Sequence, residues 1–147
     1  VRTALSLSDP GIVANFRPQL LEILGDGTDL VFANADEAMG MAESERLDDA
    51  VAWMKGVARS FVITRGPEGA LVWDGRELAE IPAEPVRPLD TVGAGDMFAG
   101  AHLYGLTRGW SHGDAARLAT RAAARLITSY GARLPAEETR ALVTEPA

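Results

Sequence analysis

The chain has 147 residues, and 14 Lys and Arg against 21 Asp and Glu leave a net charge of −7 with His neutral. Hydrophobic residues make up 47%, too many for a disordered chain, and the length suits one domain able to bury a core. The acidic balance speaks against a nucleic-acid platform, which needs clustered Lys and Arg. The absence of Cys removes disulfides, thiolate metal sites and a Cys nucleophile.

No run approaches eighteen apolar residues, so no membrane span or membrane partner is expected, and the lack of Cys fits a cytoplasmic location. The opening Val1-Arg2-Thr3 has neither Met nor a charged segment before an apolar stretch, so the expectation is a fragment or a processed product without a signal peptide.

In chain order, Val1–Ser8 reads as a short strand stopped by Asp9-Pro10-Gly11. Leu20, Leu21 and Leu24 give Phe16–Leu24 a helical spacing that ends at Gly25. Leu30, Val31 and Phe32 run without alternation, so Asp29–Ala33 is expected to be a fully buried strand, and Ser60–Thr64 is another. Between them Ser44–Lys55 reads as a helix with Leu47, Val51 and Met54 on one face and Glu43–Asp49 as a solvated face.

Gly69–Trp73 and Arg76–Ile81 flank Asp74-Gly75, a two-residue hairpin signal. After Pro82, Pro85 and Pro88, three helices are expected, over about Ala94–Thr107, Asp114–Ser129 and Ala136–Val143. Buried strands alternating with helices imply an α/β fold: a mainly parallel sheet with an antiparallel edge hairpin, flanked by helices.

The segment Asp90-Thr91-Val92-Gly93-Ala94-Gly95-Asp96-Met97-Phe98-Ala99-Gly100 carries the most chemistry. Small residues at 93 to 95 let main chain approach a ligand closely, and a helix beginning there offers free amides and a positive dipole end to an anion. An aspartate at that place would repel a phosphate. It becomes useful if Asp96 accepts the proton of an attacking hydroxyl while the amides of Gly93 to Asp96 hold a transferring phosphoryl group. Such transfer passes through a loose transition state, in which positioning outweighs early proton removal. Phe98 replaces the third glycine of a dinucleotide fingerprint and no Gly-Lys-Ser/Thr follows, so neither common phosphate loop fits.

That string resembles the D-T-x-G-A-G-D signature of the ribokinase-like (PfkB) family of sugar and nucleoside kinases, which phosphorylate a hydroxymethyl group using ATP and magnesium. The resemblance implies Asp96 as catalytic base and Gly93, Ala94 and Gly95 as anion hole. Asn34-Ala35-Asp36-Glu37 resembles the family's N-x-x-E motif, which implies a place for Asn34 and Glu37 at Mg2+ and phosphate; on residues alone, Asn34 also reads as a helix cap with Glu37 in its first turn. Thr64, Gly66 and Gly69 resemble the T-x-G…G nucleotide loop, and serve equally as a plain turn. The Ala-rich Asp114–Arg133 stretch, ending at Gly131-Ala132, resembles the closing helix beside adenine, which puts Thr120 at the base. Asp90 and the Gly131 region are where many relatives enclose a monovalent cation such as K+.

The implied fold is three-layered and ribokinase-like, of which residues 1–147 would be the C-terminal nucleotide-binding portion. The N-terminal half and a β lid would be missing or supplied by a companion chain, and the lid is where full-length relatives often pair as homodimers. SLSDP, VFANADE, DTVGAGDMFAG and LYGLTRG most resemble bacterial adenosine-kinase-like sugar kinases. A chain of this extent reads either as part of such a kinase or as a nucleotide-binding module without turnover.

Gly109-Trp110-Ser111-His112-Gly113 formally matches the nucleophile elbow of a serine hydrolase, but helical sequence precedes it, and Ser111 with Asp114 reads better as a helix cap. His102 is expected to be a half-buried helix residue, and Trp53 and Trp73 are expected to pack.

Overall fold

The computed structural model describes residues 2–143. The chain runs β1 (Ala4–Ser6), α1 (Pro10–Leu24), β2 (Thr28–Asn34), α2 (Ala35–Ala42), α3 (Leu47–Val57), β3 (Ala58–Thr64), a 3-10 turn (Gly66–Glu68), β4 (Ala70–Trp73), β5 (Leu78–Ile81), α4 (Ala94–Thr107), α5 (His112–Ile127) and α6 (Ala136–Leu142). It forms two compact units. One comprises the chain through Arg65 with Leu71–Ala79; the other comprises Gly66–Ala70 and the chain from Glu80 onward.

The strands form one five-stranded sheet in the order β1-β2-β3-β4-β5. β1 and β2 pair in parallel with Leu5 opposite Val31, and β2 and β3 in parallel with Val31 opposite Phe61 and Asn34 opposite Thr64. Leu30–Ala33 and Ser60–Ile63 are buried at every position, the pattern of parallel strands covered on both faces. In the first unit, Val31, Ala33, Phe61 and Ile63 form a core with Val13, Leu20 and Leu24 of α1, Ala38 and Met41 of α2, and Val51 and Met54 of α3. Trp53 and Trp73 pack against this core as expected, Trp73 stacking on Phe61 at 6.5 Å between ring centroids.

Several boundaries differ from the sequence reading. Asp9-Pro10-Gly11 starts α1 rather than ending a strand: Asp9 accepts from the amide of Gly11, and Pro10 occupies the first turn, where its missing N–H costs nothing. The expected helix at Phe16 is the second half of α1, bent where Phe16 leaves helical geometry (φ −126°, ψ 20°) two residues before Pro18. Val1, expected in the first strand, lies outside the described residues.

The expected Ser44–Lys55 helix begins only at Leu47, because Glu43 turns left-handed (φ 53°) to end α2. The hairpin turn spans Asp74–Glu77 rather than two residues, since Asp74 Oδ1 accepts from the amides of both Arg76 and Glu77 and so satisfies a wider loop. α5 closes at Ile127, short of Ser129, and main chain continues as loop through Gly131.

In the second unit α4 packs along α5, with the fully buried His102 stacked on Phe98 and its Nε2 3.2 Å from His112 Nδ1. His102 is thus buried completely rather than by half, because the second imidazole supplies a polar partner inside the packing. Burial first, and the neighbouring His112 second, depress its pKa to about 3. Among the described residues no helix is long and apolar enough to cross a membrane.

Candidate active site

In the second unit the Asp90–Asp96 segment forms a turn leading straight into α4. Gly93 is its N-cap in the left-handed region (φ 80°), a conformation that disfavours any side chain. A Cβ there would also lie 2.8 Å from the Cβ of Ala132 and 2.9 Å from its carbonyl oxygen, so the chain beyond Gly131 backs directly onto this glycine. Ala132 did not stand out in the sequence, where it reads only as the residue after a glycine.

Asp96 lies in the first turn of α4 with its side chain exposed. Among the described residues, the amides of Gly93, Gly95 and Asp96 have no hydrogen-bond acceptor, as helix geometry dictates for a first turn. Ala94 differs from expectation. Its N–H donates to the carbonyl of Thr91 at 3.2 Å, closing the turn, so that donor is already engaged.

Asp90, expected beside a cation, instead accepts two main-chain hydrogen bonds, from Val92 at 3.0 Å and Gly131 at 3.0 Å. These bonds, that from Gly131 foremost, hold its carboxyl below the ordinary carboxylate range. The contact to Gly131 is direct, and this donor set fits a clamp better than an ion ligand. Thr120 is buried in α5, and its hydroxyl donates to the Ala116 carbonyl at 2.9 Å, leaving a methyl as the group able to border a base.

Gly69 is held by close packing: a Cβ would sit 2.0 Å from the Ile81 carbonyl oxygen. Gly66 opens the 3-10 turn and is exposed, and its carbonyl accepts from the amide of Gly69.

In the first unit the parallel register brings the C-terminal ends of β1, β2 and β3 to one edge, where ligands of α/β sheets bind. Asn34 and Glu37 form a reciprocal capping box there. The Glu37 amide donates to Asn34 Oδ1 at 2.8 Å, while the Asn34 amide donates to Glu37 Oε2 at 2.9 Å and Asn34 Nδ2 to Oε1 at 3.0 Å. Glu37 is 5% exposed, and burial raises its pKa, with the Asp9 and Asp36 carboxylates adding to the rise. Asp9 escaped the sequence reading because Asp-Pro-Gly reads as a breaker.

Among the described residues no group of three or more His, Asp or Glu side chains is arranged to hold an ion by itself. The pair fits a hydrated divalent cation instead: such an ion keeps several waters, and Glu37 still has lone pairs and neighbouring negative charge unneutralised. Thr64 stands opposite Asn34 in the ladder, its Oγ1 3.5 Å from the Ala33 carbonyl oxygen.

Ser111 caps α5, accepting from the Asp114 amide at 3.1 Å and donating to Asp114 Oδ2 at 2.7 Å. A helix, α4, precedes it where a nucleophile elbow requires a strand.

The family model described as pfkB family carbohydrate kinase matches residues 2–140. The chain belongs to the pfkB family of carbohydrate kinases. Among curated pfkB-type relatives, a cytidine kinase of Thermococcus kodakarensis is 36% identical over 78% of this chain and 42% of its own length. A ribokinase of Lactococcus lactis is 34% identical over 74% of this chain and 35% of its own. The solved structure of an adenosine kinase from Sinorhizobium meliloti superposes with a TM-score of 0.90 at 33% identity, covering 95% of this chain and 43% of that one. The fold is ribokinase-like, and the chain spans less than half the length of these relatives.

Proposed function

We propose that the protein to which this chain contributes transfers the γ-phosphate of ATP to a primary hydroxyl of a sugar or nucleoside. Residues 1–147 are then the C-terminal nucleotide-binding portion of one ribokinase-like domain. The acceptor-gripping half and lid come from further sequence or a companion chain, with homodimerisation through the lid and a cytoplasmic location as the accompanying expectations. The observation that carries this reading is the exposed Asp96 carboxylate in the same helical turn as three unengaged amides.

In the mechanism Asp96 accepts the acceptor hydroxyl's proton as the O–P bond forms and the bond to the leaving ADP oxygen breaks. The amides of Gly93, Gly95 and Asp96 hold the equatorial oxygens, preorganised by the turn. The Ala94 N–H contributes to the turn rather than to the oxygens. Mg2+, when bound, neutralises charge on the phosphates, and Asn34 and Glu37 would hold it through its waters. Thr64 and Gly66 line the nucleotide loop, and the Thr120 methyl borders the base. Gly69 supports that loop by packing.

The test is ATP-dependent phosphorylation of ribose, adenosine and cytidine by the full-length protein. Wild type is expected to turn over at least one acceptor, and Asp96→Asn to lose about 10²–10⁴-fold in kcat while retaining ATP binding. Nucleotide binding without turnover of any acceptor would favour a binding module. Covalent labelling of Ser111 by an acyl-phosphonate would revive hydrolysis, against the capping role of that side chain.

A further inference from the structure

We infer that Asp90 is a positioning residue: its carboxylate clamps the loop after α5 onto the turn before α4, and so fixes the direction of the Gly93–Asp96 amides. The consequence for rate rests on the phosphoryl-transfer reading; the clamp rests on geometry alone. Three connections run between the two segments. The amides of Leu89 and Asp90 both donate to the Ile127 carbonyl, at 2.7 and 3.3 Å. Asp90 Oδ2 accepts from the Gly131 amide, and Ala132 then lies against the face of Gly93 that any Cβ would fill. Within its own turn Asp90 Oδ1 accepts from the Val92 amide, holding the main chain that enters Gly93.

Hydrogen bonds from amides to an ionised carboxylate are shorter and stronger than neutral ones, so one side chain braces both sides of Gly93. Released from Gly131, the loop would no longer back Gly93. Released from Val92, the turn would lose the bond that precedes the amides. A neutral Asn retains one acceptor oxygen and presents an NH2 group to the other amide, so it can make only one of the two bonds.

The experiment combines hydrogen exchange and kinetics on the full-length protein. In wild type, the Val92 and Gly131 amides are expected to be protected, and in Asp90→Asn at least one is expected to exchange about tenfold faster or more. With MgATP and the acceptor that wild type uses, kcat is expected to fall about 10–100-fold while KM for ATP stays within about threefold, since misdirected amides cost the transition state more than the ground state. The half-saturating KCl concentration is expected not to move.

Unprotected amides in wild type, or an unchanged kcat in the variant, would overturn the clamp. So would a loss recovered at high KCl with a shifted half-saturation, which would make Asp90 a cation ligand. Should wild type transfer no phosphate at all, exchange decides alone: protection lost in Asp90→Asn supports the clamp, and protection retained overturns it. Asp90→Ala, which removes both bonds, is expected to free both amides, and Asp90→Asn keeps the test available if that variant does not fold.

Discussion

Glu37 shows how one carboxylate can answer two needs, and how to separate them. Its two oxygens close the cap of α2, yet it is buried beside two other acids, so ionisation costs more in the folded state than in the unfolded chain. A raised folded pKa means that the folded protein binds more protons across the window above the ordinary carboxylate value, so stability falls as pH rises through that window. Gln at this place keeps the capping box and removes the charge. Glu37→Gln is therefore expected to be at least as stable as wild type at pH 7 in urea unfolding. If Glu37 also serves the cation, phosphotransfer by the full-length protein should fall in the same variant, with its Mg2+ requirement raised.

His102 has the opposite sign. It stays neutral when folded, so below about pH 6.5 the unfolded chain takes up a proton that the folded one refuses. Stability present above that pH is lost at about 1.4 kcal/mol per unit on the way down towards the folded pKa of about 3. Urea titrations between pH 4 and 8 should show a shallower slope in His102→Leu.

At the scale of elements, the starts of α4 and α5 use different devices and predict different losses. Ser111→Ala removes the cap of α5 and should cost about 1 kcal/mol in thermal or urea unfolding while leaving phosphotransfer unchanged. Gly93→Ala forces a side chain into the left-handed region and against Ala132, so a loss on the order of 1–3 kcal/mol is expected, together with impaired turnover.

Much of this architecture was legible. Unbroken apolar runs marked β2 and β3, α4 appears over the residues that its composition suggested, and Ser111 caps as read. What escaped depended on choices that local sequence leaves open. Asp9-Pro10 can end a strand or start a helix, and only packing of Val13 into the core selects the second. α2 is eight residues of small and mixed side chains, too short to show a period, and only its capping box hinted at it. The engagement of Ala94 by Thr91 and of Asp90 by Gly131 belongs to loop geometry, one contact spanning 41 residues, and no spacing rule reports it.

At the scale of the whole molecule, the chain is shorter than half of the relatives it resembles, and acceptor recognition is expected to lie in the remainder. The 147-residue chain alone is expected to bind a non-hydrolysable ATP analogue in titration calorimetry and to phosphorylate no acceptor. Turnover by this chain alone would remove the need for a second half. The order in which the chain visits its two units has a practical consequence. It leaves the first after Arg65, returns for Leu71–Ala79, and leaves again at Glu80. A single stop codon or protease cut therefore never releases either unit whole, and any attempt to express them apart must first rewire the connectivity, for example by circular permutation.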